Sequence, residues 1–283
     1  MNLYEPDRKA GVWSVDEIPA FCINMEKRTD RWRDFNSQKG VEQLPKLRRF
    51  NAVNGSKLDI YNDSRVPLLI KYNIKYKTRR SHEELSTAGG VGCALSHIGI
   101  WEWMVETNAP VVLIFEDDAK MPPDFVQHMN QVIRASPTLQ DTKKWDILNL
   151  ANARGPIKPF EPQSTLSTMD SFIGMQCYFI TLNGAKRFLQ EANTIHLHID
   201  LWLVIYKKVY GLNIFCLSDY VVRQRSSKTD IQDLNGCQIC NVKTDFHKTH
   251  TIISTEELYL LRAMEVGLVC TALYVGYRFI AGK

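Results

Sequence analysis

The 283-residue sequence is informative first for what it lacks. It has no long hydrophobic run, no internal repeat and no low-complexity tract, which excludes solenoid, fibrous and disordered chains. Charge of one sign is scarce. Thirty-five Lys+Arg face 31 Asp+Glu for a net +4, and no long basic stripe appears, so nucleic acid is not the expected partner. The densest basic run, residues 71–80 (KYNIKYKTRR), fits either a phosphate contact or a solvated loop. Residues 1–15 have no apolar stretch of the kind a secretory signal needs. Cysteine is sparse and odd in number, at seven. Cys22, Cys93, Cys177 and Cys216 sit in apolar surroundings, as buried thiols of a reducing compartment do, rather than in a disulfide framework. The expected location is therefore cytoplasmic or intracellular. Residues 266–277 (VGLVCTALYVGY) are apolar but fall short of the roughly 20 residues a membrane span needs. They fit a terminal helix packed on the body, or a tail touching a membrane or a partner.

A dinucleotide fingerprint is also missing. Gly89-Gly90-Val91-Gly92 is followed by Leu95 where the third glycine would stand, so a phosphate loop is not expected. The glycines instead allow close approach of a helix start to a ligand.

What is present reads as an ordinary globular chain, with 45% hydrophobic and 23% charged residues. Such a length buries roughly 75% of its unfolded surface, enough for one sizeable core. Strand and helix patterns alternate, as in a parallel α/β sheet. Strands are expected at 18–25, 48–53, 111–115, 145–150, 175–181 and 214–217. Helices are expected near 29–39, 87–106, 122–135, 184–191 and 201–210. Residues 55–86 read as loop or short helices, and 151–170, rich in Pro, Ser and Thr, as a long surface loop.

Chemistry concentrates after the strand Val111–Phe115, where Glu116, Asp117 and Asp118 follow in succession. Three carboxylates in a pocket cannot all stay ionised without a cation, and hard oxygen ligands select Mg²⁺ or Mn²⁺. The carboxyl edge of a parallel sheet is where α/β folds place ligands. The alternative is a solvated acidic loop capping the next helix.

Three segments follow one another in order: Ile23-Asn24 with Arg28 and Arg31 (INMEKRTDR), Gly92–His97 (GCALSH) with Trp101, and Ile114–Asp118 (IFEDD). Together they resemble glycosyltransferase family 25, which includes lipooligosaccharide and collagen hydroxylysine galactosyltransferases. Weaker similarity runs through 52–55 (AVNG), 145–150 and 178–186, so that about residues 18–225 are covered. The resemblance implies an α/β fold of GT-A type, a mostly parallel central sheet flanked by helices, over 18–229. An N-terminal extension (1–17) and a tail (230–283) would lie outside it. It further implies a UDP-sugar donor, Mn²⁺ or Mg²⁺ as cofactor, and an acceptor hydroxyl on a glycan, a lipid-linked glycan or a protein.

On this resemblance Glu116 and Asp118 hold the cation, with Asp118 the direct ligand. Asp117 joins Asn24, Arg28, Arg31, Asn54, Ser96 and His97 on the donor side. Arginine forks suit phosphate or base edges, although ordinary surface charge also fits them. His97 fits a donor contact or a core histidine. Asn149, Gln176 and Gln224 are acceptor-side candidates.

An inverting reaction needs a base, and the family carries an Asp near Asp200. Asp200 is therefore the expected base, or else the N-cap of the helix after it. The family's proline-bearing segment has no counterpart there. His196, His198 and Asp200 would share one face if extended, as a short metal cluster does. Cys237 and Cys240, with His247 and His250, form a weak zinc pattern. Two other classes compete with the transferase: a metal-dependent phosphohydrolase, and a non-catalytic carbohydrate- or partner-binding protein.

Overall fold

A computed structural model describes residues 12–79, 84–191, 194–219 and 222–225. The expected tail from 230, its Cys237–His250 pattern and the apolar segment 266–277 lie outside the described residues.

The elements run β1 (Ala20–Asn24), α1 (Thr29–Asn36), β2 (Leu47–Asn51), α2 (Leu68–Tyr76), α3 (Ala88–Thr107), β3 (Val111–Glu116) and β4 (Ala119–Lys120). There follow α4 (Phe125–Ala135), α5 (Pro137–Gln140), β5 (Ile147–Asn149), β6 (Asn152–Pro159) and β7 (Leu166–Ile173). The last are β8 (Cys177–Thr181), α6 (Leu182–Glu191), α7 (Ile199–Tyr210), β9 (Ile214–Leu217) and β10 (Arg223–Gln224). Eight strands form one sheet in the order β2-β1-β3-β8-β5-β9-β7-β6, and β10 pairs with β4 in a small second sheet.

The flank β2-β1-β3 is parallel, as the alternating pattern predicts. Beyond it the sheet is mixed: β8 runs antiparallel to both β3 and β5, and β7 antiparallel to β9 and β6. β1 and β8 are buried at every residue and β3 at all but its last, which is why they read as unbroken apolar runs rather than alternating ones. One face packs Phe35, Phe115, Phe125 and Phe179 under α1 and α4, with Phe125 and Phe179 stacked 6.4 Å apart. The other face lies under α3 and α6, joined by Trp101 against Phe188 at 5.3 Å.

The expected surface loop 151–170 is largely the hairpin β6–β7. Its Pro156, Pro159 and Gly155 (φ +79°) argue against a strand by composition, yet β6 is an edge strand with a bulge between Arg154 and Ile157. Both places tolerate a missing N–H.

Thr87 caps α3 by accepting the Gly90 N–H, and Asn108 ends it in the left-handed region (φ 54°). The glycines near its start meet backbone. A Cβ on Gly92 would lie 2.5 Å from the Val53 carbonyl, and one on Gly55 1.8 Å from that of Ala88. Their close approach is thus to the 53–55 loop.

Candidate functional site

Because β1 and β3 are parallel neighbours with Ile23 opposite Glu116, their carboxyl ends bring Asn24 beside the acidic triplet. Asp117 is buried and held on both oxygens. Oδ2 accepts from Asn24 Nδ2, and Oδ1 from Arg31 Nη1 at 2.7 Å. The Asn24 amide is itself aimed by Arg49, whose Nε donates to Asn24 Oδ1 at 2.8 Å. Burial raises the Asp117 pKa, while Asn24 and Arg31 pull it down.

Asp118 is placed differently. Oδ2 accepts from Gln224 Nε2 at 3.0 Å, but Oδ1 is buried and has no hydrogen-bond partner among the described residues. The nearest guanidinium nitrogen of Arg31 is 3.9 Å from Oδ2. Burial and the neighbouring Glu116 charge push the Asp118 carboxyl up to about 6. Pairing of β10 with β4, and the Arg225 amide on the Asp118 carbonyl at 2.8 Å, bring Gln224 to this spot.

Behind Glu116 stands α3. Cys93 and His97, four residues apart, share one helix face. The Cys93 Sγ, a His97 ring nitrogen and a Glu116 oxygen all lie within 4.8 Å of one another. His97 Nε2 is 3.4 Å from Glu116 Oε1 without a formed hydrogen bond, and Nδ1 lies 2.9 Å from Tyr178 Oη. Burial, then the charges of Glu116, Asp200 and Asp118, raise the Cys93 thiol well above its ordinary range. The segment 174–176 links Asp200 to the triplet, since the Gly174 N–H reaches Asp200 and the Gln176 carbonyl accepts the Glu116 N–H at 3.0 Å.

Asp200 sits in the first turn of α7, whose N-cap is His198. Its Oδ2 accepts the Gly174 N–H at 2.8 Å and its Oδ1 the Leu201 N–H at 2.9 Å. The helix begins at Ile199, so the alternation of 195–200 ends before Asp200. His198 and Asp200 still interact: burial lowers the His198 pKa and the Asp200 charge opposes it. Gly174 is required here by its φ of +88°, which side-chain-bearing residues rarely adopt. Its carbonyl accepts from Asn149 Nδ2 at 3.4 Å, and Gln176 Nε2 donates to the Val222 carbonyl at 3.0 Å. Asn149 and Gln176 are both buried, and they brace the loop that grips Asp200.

The remaining predicted residues serve the frame around this centre. Ser96 Oγ donates to the Gly92 carbonyl and accepts the Val53 N–H, pinning loop to helix. Asn54 caps the short turn 55–57 through Ser56. Arg28 forms a two-pronged pair with the exposed Asp30 at the start of α1, which lowers the Asp30 pKa to about 2. Sequence reasoning missed Arg49, Gly174 and Tyr178 as supports. None carries a local signal, because each acts on a residue distant in the chain.

The donors available fit a hard divalent cation. The orphaned Asp118 Oδ1 and the Glu116 carboxylate offer oxygen atoms of the kind such an ion coordinates, and their mutual repulsion is what a cation would relieve. A softer set, Cys93 with His97, lies within 4.8 Å of a Glu116 oxygen. All four described cysteines are free thiols.

Residues 17–203 match the family model described as "Glycosyltransferase family 25 (LPS biosynthesis protein)". Among curated relatives, a Glycosyltransferase 25 family member of Aedes aegypti is 32% identical over 66% of this chain and 29% of its own length. Procollagen galactosyltransferase 1-A of Xenopus laevis is 30% identical over 72% of this chain and 33% of its own. A protein of Rattus norvegicus named "Probable inactive glycosyltransferase 25 family member 3" is 27% identical over 66% and 32%. The matched part thus spans about a third of each relative's length.

Proposed function

The chain belongs to glycosyltransferase family 25, and from that premise we propose that it moves a hexose from a UDP-sugar to an acceptor hydroxyl with inversion. Galactose or glucose is the sugar, and the hydroxyl belongs to a glycan, a lipid-linked glycan or a protein. The observation that carries the reading is the buried, unpartnered Asp118 Oδ1 at the carboxyl end of β3, beside Glu116.

Asp118 and Glu116 would hold Mn²⁺ or Mg²⁺, which supplies Lewis-acid neutralisation of the departing diphosphate. Asp117 keeps Arg31 in place and so sets the positive edge of the donor side. Asp200 takes the acceptor hydroxyl's proton. Two backbone N–H groups orient its carboxylate, and each oxygen retains a lone pair for that proton. Gln224 fixes the rotamer of Asp118 from the other side.

A non-catalytic reading draws support from the relatives named probable inactive. One screen separates the two: nucleotide release from a panel of nucleotide sugars, with and without Mn²⁺ and without acceptor. The expected result is slow hydrolysis of one UDP-hexose, only with the cation. Silence across the panel, with no thermal shift from any nucleotide, would give the binding-protein reading the field.

A further inference from the structure

The proposed reaction gives no role to the buried polar chain behind Glu116. Trp101 and His97 on α3 and Tyr178 on β8 form it, and none of the three is more than 1% exposed. Tyr178 Oη lies 3.1 Å from Trp101 Nε1 and 2.9 Å from His97 Nδ1.

Donor and acceptor capacities fix the direction of this chain. An indole N–H only donates, so Tyr178 Oη accepts from Trp101. Burial pushes the Tyr178 phenol well above its ordinary pKa, and it keeps its proton. The acceptor facing that proton is His97 Nδ1. A neutral imidazole whose Nδ1 accepts carries its own proton on Nε2. This Nε2 is buried, makes no hydrogen bond among the described residues, and points at Glu116 Oε1 from 3.4 Å.

The neighbouring Cys93 raises the opposite possibility, in which His97 and Glu116 join the thiol as metal ligands. That state needs a bare Nε2 and hence a proton on Nδ1. Tyr178 Oη would then receive two donors, and its own buried proton would lose its acceptor, an unmet hydrogen bond that costs stability.

We propose that Trp101 and Tyr178 are positioning residues that lock His97 as the Nε2–H tautomer, which steers one Glu116 oxygen and leaves the other for the cation and donor. The device adds a fixed dipole rather than a full charge among three crowded carboxylates. Its use in transfer rests on the reading above; the tautomer itself does not.

The test is nitrogen NMR on the full chain labelled with ¹⁵N-histidine, His97 being assigned by its absence in His97→Gln. The expected wild-type spectrum has a bare Nδ1 and a protonated Nε2, unchanged by Mg²⁺ with UDP. In Tyr178→Phe the two tautomers should mix. The apparent KM for the cation should then rise about five- to tenfold, the size of one net hydrogen bond, with kcat within about twofold. His97→Gln, whose side-chain NH₂ can replace Nε2–H, should retain more cation affinity than His97→Ala.

A protonated Nδ1 in the wild type, a Nε2 signal shifted onto added Mg²⁺ or Zn²⁺, or an unchanged tautomer in Tyr178→Phe would overturn the proposal. Should the chain turn over no nucleotide sugar, the NMR result still reads the tautomer and a cation dissociation constant replaces KM, so the two failures remain distinct.

Discussion

Asp146 stands just before β5 and Asp118 just after β3, at opposite ends of a sheet in which those two strands run the same way. Asp146 is buried, and Asp118 is half-buried with its Oδ1 fully enclosed. At Asp146 every oxygen is partnered: Oδ1 by Asn183, Oδ2 by Arg187 at 2.6 Å and by the Asn213 N–H at 2.8 Å. At Asp118 one oxygen has a single amide and the other has nothing among the described residues. The first arrangement ties α6 and the start of β9 to the sheet. The second leaves a charge whose folded environment disfavours it, which a fold tolerates where a ligand completes the site.

Asp146→Ala should lower unfolding free energy by about 3–5 kcal/mol, because it strands Arg187 and the Asn213 amide. Urea denaturation measures it, and a loss below about 1 kcal/mol would erase the contrast. Asp118→Ala should reduce sugar transfer about a hundredfold or more while leaving the metal-free urea midpoint equal or higher. A variant that turns over normally would remove Asp118 from the chemistry. UDP with Mn²⁺ at about a hundred times its dissociation constant should stabilise the wild type by about 2.7 kcal/mol, seen as a raised Tm, and Asp118→Ala far less. Equal shifts in both would place the cation elsewhere.

The smallest effect is on pH. Asp118 has a folded pKa raised to about 6 by burial and by Glu116, so the folded state binds its proton more tightly than the unfolded one. The metal-free protein should therefore lose stability as pH rises from about 4 through 6, and Asp118→Asn should flatten that slope. A wild-type slope matched by the variant would show that other groups carry it.

The strands of the core were legible because short, β-branched, uncharged runs such as Val111–Phe115 suit a strand buried on both faces better than a helix. The triplet was legible because three acids directly after such a run are conspicuous. The hairpin β6–β7 was not, since Pro156, Pro159 and Gly155 look like loop until the edge position and bulge are known. The mixed half of the sheet was hidden for a related reason: a buried strand reads the same whichever way it runs. The supports of the site escaped altogether. Arg49 aims Asn24 across 25 positions and Tyr178 meets His97 across 81, and no periodicity spans such distances.

Residues 174–178 carry three separate fastenings within one short stretch. The Gly174 amide grips Asp200, the Gln176 carbonyl receives the Glu116 amide at 3.0 Å, and the Tyr178 hydroxyl meets His97. Glu116, Asp200 and α3 are thus mounted on a single bracket, whose spacing sets the clearance between them. Lengthening or shortening it by one residue would throw all three mounts out of alignment together, so drift there is an all-or-nothing matter rather than a gradual one.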